Sequence, residues 1–265
     1  MAFRHEREGK MKKFVVLLSI VACVITLVLG QLYWKSRLAG VQAEKTAPQA
    51  EKTESESKQY SSLTENWPKK SRDLYEERLK ENKPFKILLA GSMYSDADSF
   101  SVMDDLSRTL KENYGTSVKV ITKSYDLYST EFVDQGKEEE LAKEKADLIL
   151  LEPFTLKNNG FLSSDDSLAY LSDILDSIQE EKDETEVILQ PPYPLPDATL
   201  YPQQVNDLKE YAKENNLPYL DHWKEWPEEG SDELNDLFDE NGQLKEEGYQ
   251  IWADYLENYF VSGQE

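Results

Sequence analysis

The stretch 85–95, Phe85-Lys86-Ile87-Leu88-Leu89-Ala90-Gly91-Ser92-Met93-Tyr94-Ser95, decides how the rest of the chain is read. Four apolar residues, Ile87 to Ala90, lead into Gly-Ser, and polar residues take over from Ser95. A short unbroken apolar run closed by glycine predicts a strand buried on both faces, as in a parallel sheet covered by helices. Ligands of such sheets bind beyond the carboxyl ends of the strands, so Gly91 and Ser92 fall where that architecture places its chemistry. Glycine permits a sharp exit from the strand, and the serine hydroxyl is then presented at the rim. The plainer reading of the same residues is a strand-to-loop turn whose serine caps a neighbouring group.

Outward from this strand the chain alternates strand and helix. On its amino-terminal side, 71–82 (SRDLYEERLKEN) sets Leu74, Tyr75, Arg78 and Leu79 at helical spacing. On its carboxyl side, 100–114 puts Val102, Met103, Leu106 and Leu110 on one helical face, with Gly115 as the stop. Further strands are expected at 117–122 (SVKVIT), 147–152 (DLILLE), 186–190 (EVILQ) and 217–220 (LPYL). Helices are expected at 137–146, 168–179, 201–215 and 246–260. Five strands alternating with helices predict a three-layer α/β/α sandwich with a five-stranded parallel sheet.

The 265 residues carry a formal net charge of -22, which argues against nucleic acid as a partner because such binding needs a basic footprint. The same charge fits a solvated acidic surface; a cation-binding surface is the sharper reading of it. Cys23 is the single cysteine, and His5 and His222 are the two histidines. A disulfide framework and a multi-histidine or cysteine metal site are therefore excluded, and neither metal nor cofactor is expected.

The amino-terminal region has its own logic. Residues 1–13 hold Arg4, Arg7, Lys10, Lys12 and Lys13 against Glu6 and Glu8. Residues 14–33, FVVLLSIVACVITLVLGQLY, are then nearly all apolar, and at 1.5 Å per residue about 20 residues cross a bilayer core of about 30 Å. The preceding cations set the amino end in the cytoplasm, with Tyr33, Trp34, Lys35 and Arg37 at the far interface. A transmembrane helix at 14–34, from Phe14 to Trp34, is thus expected to make the membrane a partner and to hold the domain outside the cell. Two rivals are a cleaved signal peptide and a lipoprotein box ending at Cys23, but the apolar run continues for about seven residues past Cys23, as a span does. Residues 35–66 turn to Ala, Glu, Lys, Thr, Ser and Gln, a flexible stalk in which AEKT occurs twice. The expected organisation is a basic tail at 1–13, the anchor at 14–34, the stalk at 35–66, a lead-in helix segment at 67–84 and the globular domain at 85–262.

The carboxyl ends of the predicted strands collect Gly91-Ser92, the stretch from Glu152-Pro153 to Asn159-Gly160, Gln190-Pro191-Pro192 and Asp221-His222-Trp223. The order of a serine after the first strand, an asparagine loop after the third, and acid and histidine near the end resembles the SGNH (GDSL-type) hydrolase superfamily. ILLAGS is similar to its nucleophile block, DLILLEPFTLKNNG to its oxyanion-asparagine block, and KEEGYQIWADYL to its terminal helix. The resemblance covers about residues 85–260 and implies an SGNH/flavodoxin-like fold in a divergent bacterial member, with esterase or acyl-hydrolase activity, in some members on polysaccharides. The catalytic blocks themselves depart from the pattern. Aligned on Gly91, the family's nucleophile position falls on Met93, and Ser92 takes it with a shift of one residue. Counted back from Gly248, the family's histidine falls on Gln243 and its acid on Glu240.

Glutamine cannot exchange a proton near neutral pH, so His222 is the imidazole left beyond the anchor. The expected machinery is Ser92 as nucleophile, His222 as its base, and Asp239 or Glu240 orienting the imidazole. The Ser92 N–H and the amide of Asn158 or Asn159 would stabilise the oxyanion. A structural loop packed by Trp223 and Trp226 is the other reading of the His222 segment. Tyr94, Phe154 and Tyr193, with Tyr125, Tyr128 and Trp223, are rim aromatics suited to stacking on sugar rings. The expected substrate is O-acetylated envelope or exported polysaccharide. The competing expectation is a catalytically inactive binding or assembly module of the same fold, and a third is an acetyltransferase partner using acyl-serine chemistry.

Overall fold

The computed structural model describes Tyr60, residues 62–92 and residues 101–263. The expected anchor, most of the stalk, and Tyr94 lie outside the described residues, among which no helix is long and apolar enough to cross a membrane. Helix α1 (Lys69–Lys80) leads into β1 (Phe85–Gly91). The order then continues α2 (Val102–Tyr114), β2 (Val118–Ser124), α3 (Ser129–Asp134), α4 (Lys137–Ala142) and β3 (Leu148–Glu152). It closes with α5 (Thr155–Asn158), α6 (Ser164–Glu181), β4 (Glu186–Leu189), α7 (Tyr201–Glu214), α8 (Asp232–Asn235) and α9 (Glu246–Phe260).

The sheet is parallel throughout, in the order β2-β1-β3-β4. It has four strands where the sequence predicts five. The segment expected as the fifth runs beside β4 but makes a single bridge, Leu189 with Tyr219. Its contacts are Leu189 N–H to the Pro218 carbonyl at 2.9 Å and Leu220 N–H to the Leu189 carbonyl at 2.8 Å. Proline has no N–H to give a ladder, and Pro218 on one side with Pro191 and Pro192 on the other ends the pairing after one residue.

Strand alternation sorts the core into two halves. Phe85, Ile87 and Leu89 of β1, with Leu148 and Leu150 of β3, face α2 and α9. Leu88 and Ala90, with Ile149 and Leu151, face the layer of α3, α4, α6 and α7. This is the expected three-layer arrangement, and the central strands are apolar on both faces because both are covered. Trp67 anchors the lead-in segment: its ring lies 5.5–5.9 Å from those of Tyr75, Phe85, Tyr114 and Phe260, and its Nε1–H donates to the Phe260 carbonyl at 2.9 Å. The predicted helix at 137–146 is shorter than expected because Lys145 takes a left-handed backbone, φ 51°, that ends it.

Candidate active site

At the carboxyl end of the sheet, Gly91 of β1 lies directly opposite Glu152 of β3. A Cβ on residue 91 would meet the Glu152 carbonyl oxygen at 2.6 Å and its Cβ at 2.7 Å, so the two backbones approach this closely only with glycine there. That approach delivers Ser92 onto the Glu152 carboxylate. The Ser92 N–H donates to Oε2 at 2.9 Å, and the Ser92 hydroxyl donates to the same oxygen. The other oxygen, Oε1, accepts the Thr155 N–H at 2.9 Å. Phe154 has the left-handed backbone (φ 61°, ψ 19°) that folds the chain back over the end of β3, and its own N–H also reaches the carboxylate.

Glu152 is fully buried and Ser92 is 5% exposed. Burial pushes the Glu152 carboxyl above the usual range, against the opposing pull of the Ser92 hydroxyl and the surrounding N–H donors. The Ser92 N–H, expected as an oxyanion donor, is spent on this carboxylate.

The remaining predicted residues have other occupations. Asn158 is buried; its amide donates to the hydroxyls of Ser129 at 2.9 Å and Ser167 at 3.2 Å and accepts the Ser129 N–H at 3.1 Å. It ties α5 to α3 and α6. Asn159 is half-buried where α5 ends. His222 is fully buried, with Nε2 2.9 Å from the Pro191 carbonyl and Nδ1 accepting the Trp226 indole N–H at 2.9 Å. These partners fix the tautomer, with the proton on Nε2 donated to Pro191. The ring stacks on Trp252 at 4.9 Å, and the Trp252 indole donates to the Gln190 side chain at 3.1 Å. Burial lowers the imidazole to about 4. Both nitrogens are occupied, and no hydrogen bond joins His222 to Ser92 among the described residues.

Asp239 accepts the N–H groups of Asn241 and Gln243, each at 2.8 Å, and so shapes the turn closed by the Phe238–Leu244 bridge. Those N–H donors, Gln243 first, hold its carboxyl below the usual range. Phe154 packs against Phe132 at 4.8 Å in the core. Tyr193 is 8% exposed among Phe238, Tyr249 and Trp252. The large apolar side chains exposed among the described residues are Phe161 and Leu200, 60% and 70% exposed, which line a groove of about 360 Å³ with Gln203 and Gln204. Phe161 stacks on Tyr128 at 4.2 Å.

The sequence puts Glu152 on the rim and assigns it no task. The available signal was an acidic residue closing a strand whose other four residues, LILL, are apolar. Among the described residues, no group of three or more His, Cys, Asp or Glu side chains is placed to hold a metal ion.

No protein-family model matches the chain, and no curated protein sequence matches it. Solved structures do. The lipase/acylhydrolase from Enterococcus faecalis is similar at TM-score 0.50 with 19% identity, over 68% of this chain and 98% of that one. A catalytic mutant of an acetylxylan esterase from Geobacillus stearothermophilus is similar at TM-score 0.51 with 14% identity, over 66% of this chain and 93% of that one. The described domain has the fold of the SGNH (GDSL-type) hydrolases, shared with structures no more than 19% identical in sequence.

Proposed function

We propose that the domain is an SGNH-type ester hydrolase, held outside the membrane by residues 14–34, that removes acyl groups such as acetate from envelope or exported polysaccharide. One observation carries this reading: a serine hydroxyl at the carboxyl end of β1 donates to a buried carboxylate at the position where parallel sheets bind ligands. The fold supports the reaction class, and an acetylxylan esterase among the structures of this fold supports a glycan ester as substrate. In this reaction Ser92 Oγ attacks the ester carbonyl, the sugar hydroxyl leaves, and water releases the acid.

The test is acetate release from acetylated xylan, and hydrolysis of p-nitrophenyl acetate, by the full-length protein in detergent. The wild type turns over, and Ser92→Ala loses at least about a thousandfold in kcat/KM. Equal rates for the two proteins overturn the reading. A second reading, a recognition module that retains acylated glycan without cleaving it, is favoured by the sealed environment of His222. It predicts saturable binding of the acetylated polymer with no acetate released by the wild type.

A further inference from the structure

With both ring nitrogens of His222 committed, the serine of the proposed hydrolase needs a different proton acceptor. We propose that Glu152 is that acceptor, serving Ser92 directly as general base and then general acid in a serine–carboxylate dyad. The inference rests on the hydrolase reading above and replaces the imidazole that the sequence suggested. Its ground is geometric. Oε2 already accepts the Ser92 hydroxyl, and the Ser92 N–H on the same oxygen fixes the pair's relative position. The Thr155 N–H holds the other oxygen, Oε1, and the Phe154 N–H also reaches the carboxylate, so four donors hold it against the serine. The hydrogen-bonding groups that face Glu152 from β1, and from the turn between β3 and α5, are all neutral. Burial without a compensating cation raises the proton affinity of a carboxylate, which is what a base working near neutral pH requires.

The proton balance closes within the dyad. As the Oγ–C bond forms, the Oγ proton passes to Glu152 Oε2 and the carbonyl electron pair moves onto its oxygen. The tetrahedral intermediate collapses, the bond to the sugar oxygen breaks, and that oxygen takes the proton from Glu152. Water then attacks the acyl carbon, giving a proton to Glu152, and the C–Oγ bond breaks as Ser92 recovers that proton. The net change is ester plus water to acid plus alcohol.

A carboxylate that only tied the β3–α5 turn to the end of β1 would act through folding alone, so its loss would lower stability and leave turnover per folded molecule unchanged. Glu152→Gln keeps one acceptor oxygen, puts an NH2 where the second oxygen accepted an N–H, and removes the base. In full-length protein its ester hydrolysis falls about 10²- to 10⁴-fold, while thermal unfolding shows the domain still folded and His222→Gln retains its turnover per folded molecule. If Glu152→Gln turns over within tenfold of wild type while Ser92→Ala is inactive, the dyad is wrong and the hydrolase reading stands. If the wild type itself is inactive, the hydrolase reading fails first. Should Glu152→Gln not fold, the wild type alone decides through the rate at which a fluorophosphonate labels Ser92 as a function of pH. A carboxylate base gives a kinetic pKa that barely moves with temperature; one that falls steeply on warming identifies an imidazole and overturns the proposal.

Discussion

The two ends of β3 each bury a carboxylate, and they treat it in opposite ways. Asp147, just before the strand, accepts Arg78 Nη2 at 3.0 Å, the Lys182 ammonium, and the Lys86 N–H at 2.8 Å. Burial alone would raise its carboxyl, but Lys182, the Lys86 N–H and Arg78 together hold it below the usual range. Glu152, the last residue of the same strand, is buried more deeply still and is met by neutral donors only, so burial pushes its carboxyl up. His222 at the same end is likewise sealed among neutral partners. At the amino end the charge is matched by cations and acts as a bolt between α1, β1 and the end of α6. At the carboxyl end charge is left unmatched, an arrangement that costs stability and is met where proton transfer is needed.

If the amino end is the bolt, Asp147→Ala produces the largest loss of stability, about 3 kcal/mol, because it removes the carboxylate that two cations and a backbone N–H share. Urea unfolding of the full-length protein measures it, and a loss below about 0.5 kcal/mol would erase the contrast. The next effect belongs to the carboxyl end. The folded imidazole of His222, at about 4, lies below its ordinary value of about 6.5, so its contribution is complete above that value and is lost as pH falls toward 4. The loss amounts to about 2–3 kcal/mol. His222→Gln flattens that acid limb of the melting curve; an unchanged limb would mean that the ring is not sealed.

The contrast between the two ends was only partly legible in the sequence. The four paired strands were, since Ile87–Ala90 and Leu148–Leu151 are apolar runs that no exposed segment would carry. The run LPYL also reads as a strand, but a proline inside it removes a ladder donor, and the segment keeps one bridge. Ser92 was legible as a rim residue because Gly91 marks where the strand ends. Its partner was not: Glu152 lies 60 residues away, and only the register of Gly91 against Glu152 brings them together. His222 misleads for a related reason. Its type and its place at the rim suggest catalysis, whereas Trp252, thirty residues downstream, and the Pro191 carbonyl, 31 residues upstream, occupy it.

The smallest effect is also the one that joins the two ends in a single measurement. The folded Glu152 carboxyl sits above the ordinary glutamate value of about 4.3, so ionising it in the folded protein costs stability as pH rises from that value through its folded one. Asp147 has the opposite sign: its contribution is complete above about 3.9 and is lost as pH falls through its depressed folded value. Glu152→Gln removes the first dependence and leaves the second. Melting temperatures of wild type and variant therefore differ least near pH 4, and the variant gains on the wild type with each step toward neutral pH. A constant offset between the two curves would mean that Glu152 is as well compensated as Asp147, and the carboxyl end would then be a second bolt with no proton to exchange.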